Sequence, residues 1–278
     1  VAALIAAGYH GDEMHHLMKS IDYHKFIQKD FLDHLGRAGM LMSILFHYGI
    51  YSAEQLERWL NQLLLKKHTA CFKDVKNEDG SYRLQVTTVD LTTRELLVLP
   101  KDLKKFHIDI DSFSIAEAVR MSMSIPIFYE PYVLKDMHGV KHYMVDGGLL
   151  SNYPIWILDD GVQPLHDPIF GFKFIADFKQ KCKKLHAPDH FLDYAKQITS
   201  TLLDAFDNMQ ISNAKGDYAR SILIPSAVAV DGESYHISST DFDITSQESE
   251  ALFQNGMRAG EQFLSTWNFQ NWLRKYRK

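Results

Sequence analysis

The stretch FSIAEAVRMSMSIPIFYEPYVLKDMHGVKHYMVDGGLLSNYPI, residues 113–155, carries most of the information about the fold. Ser114 and Glu117 match a capping box and predict the start of a helix. Two short runs follow, at 132–134 and 141–146, and a turn sequence separates them, so this part of the chain predicts a β-hairpin. A helix followed by a hairpin within one stretch indicates a mixed α and β protein.

The second strand of this hairpin leads directly into Asp146-Gly147-Gly148. A carboxylate is therefore predicted at the end of a strand, on a turn. The two glycines are expected to permit positive φ angles and to leave the carboxylate unshielded by neighbouring side chains. Taken alone, this tripeptide also fits a simple tight turn in which the aspartate caps its own backbone.

The rest of the chain alternates helical and strand patterns. Capping boxes at Ser52/Gln55 and Thr245/Glu248 predict two further helices. The predicted strands outside the hairpin are 82–91, 95–99, 169–175 and 221–225. The run 169–175 is almost continuously apolar and is expected to be buried on both faces. The alternation predicts an α/β fold with a layered core.

Size and composition restrict the class of protein. The chain has 278 residues, is 46% hydrophobic and contains no linker or repeat, so it predicts one large domain or two small ones. A formal net charge of -5 gives no reason to expect nucleic acid as a partner. The 2 cysteines form no C-x-x-C pair, which favours a reducing, cytoplasmic location. No apolar run is long enough to span a membrane.

The 14 histidines raise the question of a metal site. His15 and His16 are adjacent, so on a helix they would not point towards one metal ion, and the chain has no H-E-x-x-H motif. Surface or capping roles for the histidines are therefore favoured over a metal site. No metal and no cofactor are predicted.

Two neighbouring segments resemble the patatin-like phospholipase family. Met-Ser-Ile-Pro126 is followed about twenty residues later by Val145-Asp-Gly-Gly-Leu-Leu-Ser-Asn152-Tyr-Pro154, in the order and spacing of that family. The other matching pieces, again in family order, are VAALIAAGYHGDE (1–13), CFKDV (71–75), TTVDLTTRELLVLP (87–100), DFDIT (241–245) and FLSTW (263–267).

The resemblance implies a fold, a domain plan and a site. The expected fold is a three-layer sandwich whose central, mostly parallel sheet is flanked by helices, in a single domain spanning 1–278. Family members use a Ser–Asp dyad, in which Asp146 matches the catalytic aspartate and Gly147 and Gly148 complete its motif. Asn152 matches an asparagine that is common after this motif. It is expected either to hold the turn through backbone hydrogen bonds or to be an ordinary loop residue.

The serine of the dyad has no match in the chain. The family places it in a G-x-S-x-G motif, and the nearest approach, Gly232-Glu-Ser234-Tyr-His236, lacks the second glycine. The chain opens on helix formers that end at Gly8, with no capping residue before Val1. The resemblance places the serine about five residues before Val1, with the oxyanion loop further upstream. The 278-residue chain alone is therefore expected to be inactive.

The reaction implied by the resemblance is hydrolysis of a lipid ester, of the phospholipase A or lysophospholipase type. The expected partner is a lipid or another acyl ester. Two alternatives remain open at this point, which are a non-catalytic lipid-binding or scaffolding relative and an esterase for small soluble esters.

Two apolar segments have both a lipid-related and a structural interpretation. The C-terminal run FLSTWNFQNWLRKYRK (263–278) combines aromatic and basic residues, which suits either peripheral contact with a membrane or a final helix packed on the domain. A second run contains Met40, Met42, Ile44, Leu45 and Phe46. It suits either an acyl-chain pocket or ordinary core packing.

Overall fold

The computed structural model describes residues 1–27, 37–159, 165–175, 194–195, 197–198, 201, 216–238 and 241–277. These residues form two compact units, which meet in the sequence between Asn152 and Tyr153, with the described residues of 188–206 assigned to the first unit. Helices and strands occur with both parallel and antiparallel pairing. This confirms the α/β class, while the single domain and the three-layer sandwich stay predictions.

The helices with α geometry are α1 (Ala2–Ala6), α2 (Gly11–Ser20), α3 (Arg37–His47), α4 (Glu54–Lys66), α5 (Ile115–Met123), α6 (Gly148–Ser151), α7 (Ser246–Thr266) and α8 (Phe269–Tyr276). Short 3-10 turns occupy Tyr23–Ile27, Phe72–Val75, Lys101–Phe106, Ile155–Ile157 and Tyr218–Arg220. None of the described helices is long and apolar enough to cross a membrane.

The strands are β1 (Gly49–Tyr51), β2 (Val86–Asp90), β3 (Glu95–Leu99), β4 (Ile127–Tyr129), β5 (Tyr132–Lys135), β6 (Lys141–Asp146), β7 (Gly171–Ile175), β8 (Ser221–Pro225), β9 (Ala227–Val230) and β10 (Glu233–His236). In the first unit, β1 pairs in parallel with β4, and a four-stranded sheet has the order β3-β2-β6-β5. In the second unit, β7 and β8 pair in parallel and β9 and β10 form a hairpin.

Every pairing in the four-stranded sheet is antiparallel, which differs from the predicted mostly parallel sheet. The reason is local, because the connections β2–β3 and β5–β6 are short turns. Only antiparallel strands can be joined this way, since a parallel pair needs a long crossover connection. The predicted hairpins themselves are confirmed.

Helix ends follow the expected capping chemistry at three of the four predicted places. Gly8 has a φ of +89° and ends α1, where the N–H of Tyr9 donates to Leu4 and the N–H of Gly8 donates to Ile5 in a Schellman arrangement. The hydroxyl of Ser114 accepts from the Glu117 N–H at the start of α5. The full Thr245/Glu248 capping box opens α7.

The fourth predicted cap is wrong in position. Helix α4 begins one residue later than the Ser52/Gln55 pattern implies, with Ala53 at the N-cap, and Ser52 instead accepts a hydrogen bond from the N–H of Glu54.

The main hydrophobic core lies in the first unit. It combines α1, the inner face of α4, the buried face of α5 and residues of β2, β3, β5 and β6. Met144 of β6 belongs to this core, and residues two apart on a strand point to the same side of the sheet. Asp146 therefore projects from the core-facing side of β6.

Two apolar segments are more exposed than the sequence predicted. Phe172 and Phe174 of β7 are 67% and 60% exposed, so the expectation that 169–175 is buried on both faces is wrong. On α3, Met42, Leu45 and Phe46 are exposed, which does not fit ordinary core packing. The side chain of Met40 lies outside the described residues.

The C-terminal tail packs within the second unit. The Trp267 ring stacks against Phe263 and Phe269 and meets Phe170 edge to face, while Trp272 is buried and donates a hydrogen bond to the carbonyl of Gly216. These contacts favour the interpretation of the tail as a packed helix. Its aromatic residues are engaged by protein.

The Thr245/Glu248 box should be measurable as stability. Replacing Thr245 with Ala removes the oxygen that accepts from the Glu248 N–H, so the free energy of unfolding should fall by about 1 kcal/mol. Thr245→Ser keeps a hydroxyl and is the matched control. Chemical denaturation of both variants checks this, and an equal loss in the serine variant would contradict the capping explanation.

Candidate active site

Asp146 is the last residue of β6 and is held by backbone interactions on both sides. Its N–H donates to the carbonyl of Ser124, just beyond the end of α5, at 2.9 Å. It is the register partner of Thr88 on β2. Thr88 is fully buried, and its hydroxyl donates to the carbonyl of Val145 at 2.7 Å. The end of α5 and the central strand β2 therefore fix the position of the Asp146 backbone, from which the carboxylate projects.

Gly147 is required for close approach of two backbones, and the positive φ angle expected from the sequence does not occur there. Its φ and ψ are -61° and -27°, which any residue can adopt. A Cβ atom at this position would lie 2.4 Å from the Thr87 hydroxyl oxygen and 2.5 Å from the Thr87 carbonyl oxygen. Only glycine leaves room for β2 at this point.

Gly148 has a different role beside the carboxylate. Its N–H donates to Asp146 Oδ1 at 2.7 Å. A Cβ atom on Gly148 would lie 2.7 Å from Asn152 Oδ1 and 3.1 Å from Asp146 Oδ1, so the side chains of Asn152 and Asp146 both approach this glycine. The structure thus brings all four predicted site residues into one turn.

Burial raises the pKa of the Asp146 carboxyl to about 6, and the hydrogen bond from Gly148 opposes this shift only in part. No cationic side chain among the described residues pairs with Asp146 to stabilise its charged form. A carboxyl group with a pKa near neutrality is a much better proton acceptor than an ordinary aspartate, whose reference pKa is about 3.9. The turn can therefore accept a proton from a hydroxyl brought within hydrogen-bond distance.

A second buried carboxylate lies at the other end of β2, and no local sequence pattern indicated it. Asp90 is fully buried, and one of its oxygens lies 2.7 Å from His142 Nδ1. The same carboxylate accepts from the Thr92 N–H and the Thr93 hydroxyl. His142 is thus a buried partner of a carboxylate, which departs from the predicted surface or capping roles for the histidines.

Three other features were considered as candidate sites. Ser234, the nearest approach to the serine motif, is an exposed residue of β10 in the second unit. A cleft of about 440 Å³ lies between α2 and α4, and Phe26, Arg58 and Trp59 line it without any residue of the Asp146 turn. Among the described residues, no group of three or more His, Cys, Asp or Glu side chains is arranged to hold a metal ion.

Comparison with known proteins identifies the family. The model of the patatin-like phospholipase family matches residues 1–159, which contain the whole Asp146 turn. The chain is 33% identical over 269 residues to the uncharacterized protein YqhO of Bacillus subtilis (strain 168), covering 97% of this chain and 86% of that protein. It is 25% identical over 266 residues to the uncharacterized protein R571 of Acanthamoeba polyphaga mimivirus, covering 94% of this chain and 78% of that protein.

The fold and the matched region define a protein of the α/β class with a patatin-like domain. The chain belongs to the patatin-like phospholipase family.

The close approach at Gly147 makes a specific stability prediction. Gly147→Ala places a methyl group against the Thr87 backbone, which cannot move without disturbing β2, so the free energy of unfolding should fall by about 2 kcal/mol or more. Gly256→Ala is the matched control, because Gly256 lies within α7 and a Cβ there meets nothing within 4 Å. The control should stabilise the protein by about 0.5–1 kcal/mol. Thermal or chemical denaturation checks both, and a neutral Gly147→Ala variant would contradict the packing argument.

Proposed function

We propose that this protein is a serine-dependent lipid acyl hydrolase, of the phospholipase A or lysophospholipase type, in which Asp146 is the general base. The observation that carries the proposal is a partly exposed aspartate at a strand end whose pKa is raised to about 6 by burial. The family match supports the reaction class.

The nucleophile in this proposal is a serine that precedes Val1 in the natural protein. Helix α1 shares one hydrophobic core with Met144, which lies two residues before Asp146 and on the same side of β6. A serine on a sharp turn leading into α1 would therefore lie on the same side of the sheet as the Asp146 side chain. The matched region covers 86% and 78% of the two relatives, so both relatives are longer than the region shared with this chain.

The proposed chemistry needs no third residue. The serine oxygen attacks the ester carbonyl carbon while its proton passes to the Asp146 carboxylate. Collapse of the tetrahedral intermediate breaks the acyl–oxygen bond, and the departing alcohol takes that proton. Water then attacks the acyl-serine while Asp146 takes one of its protons. When this second tetrahedral intermediate collapses, Asp146 returns that proton to the departing serine oxygen, which releases the fatty acid and restores both the serine hydroxyl and the carboxylate. In a Ser–His–Asp triad an imidazole would carry the proton, whereas here the raised pKa of the carboxyl allows it to do so directly.

Activity should follow the ionisation of Asp146. A general base with a pKa of about 6 is ionised above that pH, so kcat/KM should rise from pH 5 and level off above pH 7. At pH 5 the rate should be about tenfold below the plateau. Initial rates on a phospholipid substrate across this range, with the full-length protein, measure the profile. A rate already at its plateau at pH 5 would contradict the assignment.

Substitution of Asp146 should separate its catalytic role from its structural one. Asp146→Asn keeps an oxygen that can accept from the Gly148 N–H but cannot take a proton from serine, so hydrolysis should fall by roughly 100-fold or more. The same variant should be more stable at pH 7, by about 1–3 kcal/mol, because it removes a charge that burial disfavours.

The sign of the stability effect follows from the raised pKa. Between the unfolded value of 3.8 and the folded value of about 6, the folded state holds a proton that the unfolded state has lost. The stability of the wild-type protein therefore falls as the pH rises through this window. The advantage of the Asn variant should disappear near pH 4. Melting temperatures of both proteins at pH 4 and pH 7 test this. A variant that is less stable at pH 7 and fully active per folded molecule would make Asp146 a turn residue only.

A further inference from the structure

The outer side of the β5–β6 hairpin continues into an exposed apolar surface of the first unit, here called the hairpin face. Val133 and Tyr143 are register partners on this side. The centroids of the Tyr48 and Tyr143 rings are 5.6 Å apart, and the two rings meet edge to face. The N–H of Leu91 donates to the Tyr143 carbonyl. The exposed apolar residues of the face, each between 42% and 63% exposed, are Tyr48, Leu91, Val133, Met137 and Val140.

Cationic side chains accompany this apolar surface. Lys135 and Lys141 are direct cross-strand partners, both exposed, and lie on the same side of the hairpin as Val133 and Tyr143. Like charges placed directly opposite each other disfavour strand pairing. Arg94, also exposed, belongs to the β2–β3 turn that adjoins the hairpin through Thr92. In the part of the chain that the structure describes, none of these three cations forms an ion pair.

The carboxylates at this end of the sheet are occupied by other partners. Asp90 accepts from Thr92, Thr93 and His142 in the interior. Asp136 accepts from the backbone N–H groups of His138 and Val140. Glu95 pairs with Lys105. Of these carboxylates only Asp136 lies on the hairpin itself, and the three cations outnumber it, so the hairpin face is locally positive on a chain whose formal net charge is -5.

We propose that the hairpin face docks on the anionic surface of a phospholipid bilayer. Exposed apolar residues, tyrosines with one apolar and one polar end, and cations that form no ion pair with any described residue together match the chemistry of a lipid headgroup layer. A second copy of the chain fits less well. In a two-fold symmetric contact through this face, the cationic residues of one copy would approach those of the other. The inference adds a membrane partner to the proposed function and does not depend on the Asp146 chemistry.

The test is co-sedimentation of the full-length protein with vesicles of ether-linked lipids, which contain no ester to hydrolyse. One set is phosphatidylcholine alone and the other an equimolar mixture with phosphatidylglycerol. Binding should be stronger to the mixed vesicles. The variant Arg94→Gln/Lys135→Gln/Lys141→Gln should lose this preference, with a drop of roughly 100-fold in partition coefficient at low salt, since each cation contributes about fivefold.

Two matched variants make the result specific. Lys66→Gln/Lys73→Gln/Lys101→Gln removes the same charge from exposed lysines outside the hairpin face and should bind like the wild type. Met137→Ser/Val140→Thr leaves the cations in place and should weaken binding to both kinds of vesicle. The hairpin triple variant should melt no lower than the wild type, because it removes the repulsion between Lys135 and Lys141.

Three results would overturn the proposal. The first is wild-type protein that stays in the supernatant with both vesicle sets. The second is an equal loss of binding in the two triple variants, which would make the attraction a matter of total charge. The third is a hairpin triple variant that binds vesicles normally but changes the oligomeric state in sedimentation velocity, which would assign the face to a second copy. Turnover of a short, soluble ester in the same preparations reports separately on the proposed catalytic function.

Discussion

The contact between Gly147 and Thr87 is the constraint on which the candidate site depends. Strand β6 approaches β2 so closely at its end that no side chain fits between the two backbones. That approach places Asp146 opposite Thr88 and directs its N–H towards the carbonyl of Ser124. The end of α5, the middle strand β2 and the short helix α6 therefore converge on one carboxylate. These three elements position Asp146 through backbone contacts, without a charged side chain.

The electrostatics of Asp146 follow from this arrangement. Its backbone partners are neutral, and the hydrogen bond from Gly148 compensates only in part for the loss of water around the carboxylate. An arginine or lysine at the same place would lower the pKa and leave a stable but weak base. Burial without a cationic partner among the described residues keeps the carboxyl basic, and it lowers the stability of the folded protein at neutral pH by about 1–3 kcal/mol. The basicity of the Asp146 carboxyl and the loss of folding stability thus have the same cause, which is burial of the carboxylate.

The sequence was most informative where structure is set by neighbours along the chain. The Schellman end at Gly8, the cap at Ser114 and both hairpins depend on residues within a few positions of each other, and all were predictable. The four candidate site residues were identified through a family motif, and their functional role stays a prediction, although the structure places the side chains of Asp146 and Asn152 beside Gly148. The physical reason for Gly147 was not predictable, because it depends on Thr87, which lies 60 positions away in the sequence.

The same limit applies to burial. The run at 169–175 is apolar along its length, yet Phe172 and Phe174 are exposed, since periodicity describes a strand and says nothing about what covers it. The partnership of His142 with Asp90 joins two strands that are not consecutive in the chain, so no local pattern indicated it. Burial and cross-strand contacts both depend on residues far apart in the chain, so they cannot be inferred from local sequence patterns.

Strand β6 has an unbalanced charge at each end. Among the described residues, no cation pairs with Asp146 at one end, and about 17 Å away along the strand Lys141 faces Lys135 while neither lysine forms an ion pair. Asp90 of β2 and Asp136 of the β5–β6 turn are carboxylates near this end of the strand, but they are engaged by His142 and by backbone N–H groups. A protein selected only for stability would pair such charges, because each unpaired one costs free energy. Their separation along one strand agrees with the two proposals, a general base at Asp146 and a membrane-binding surface at the hairpin.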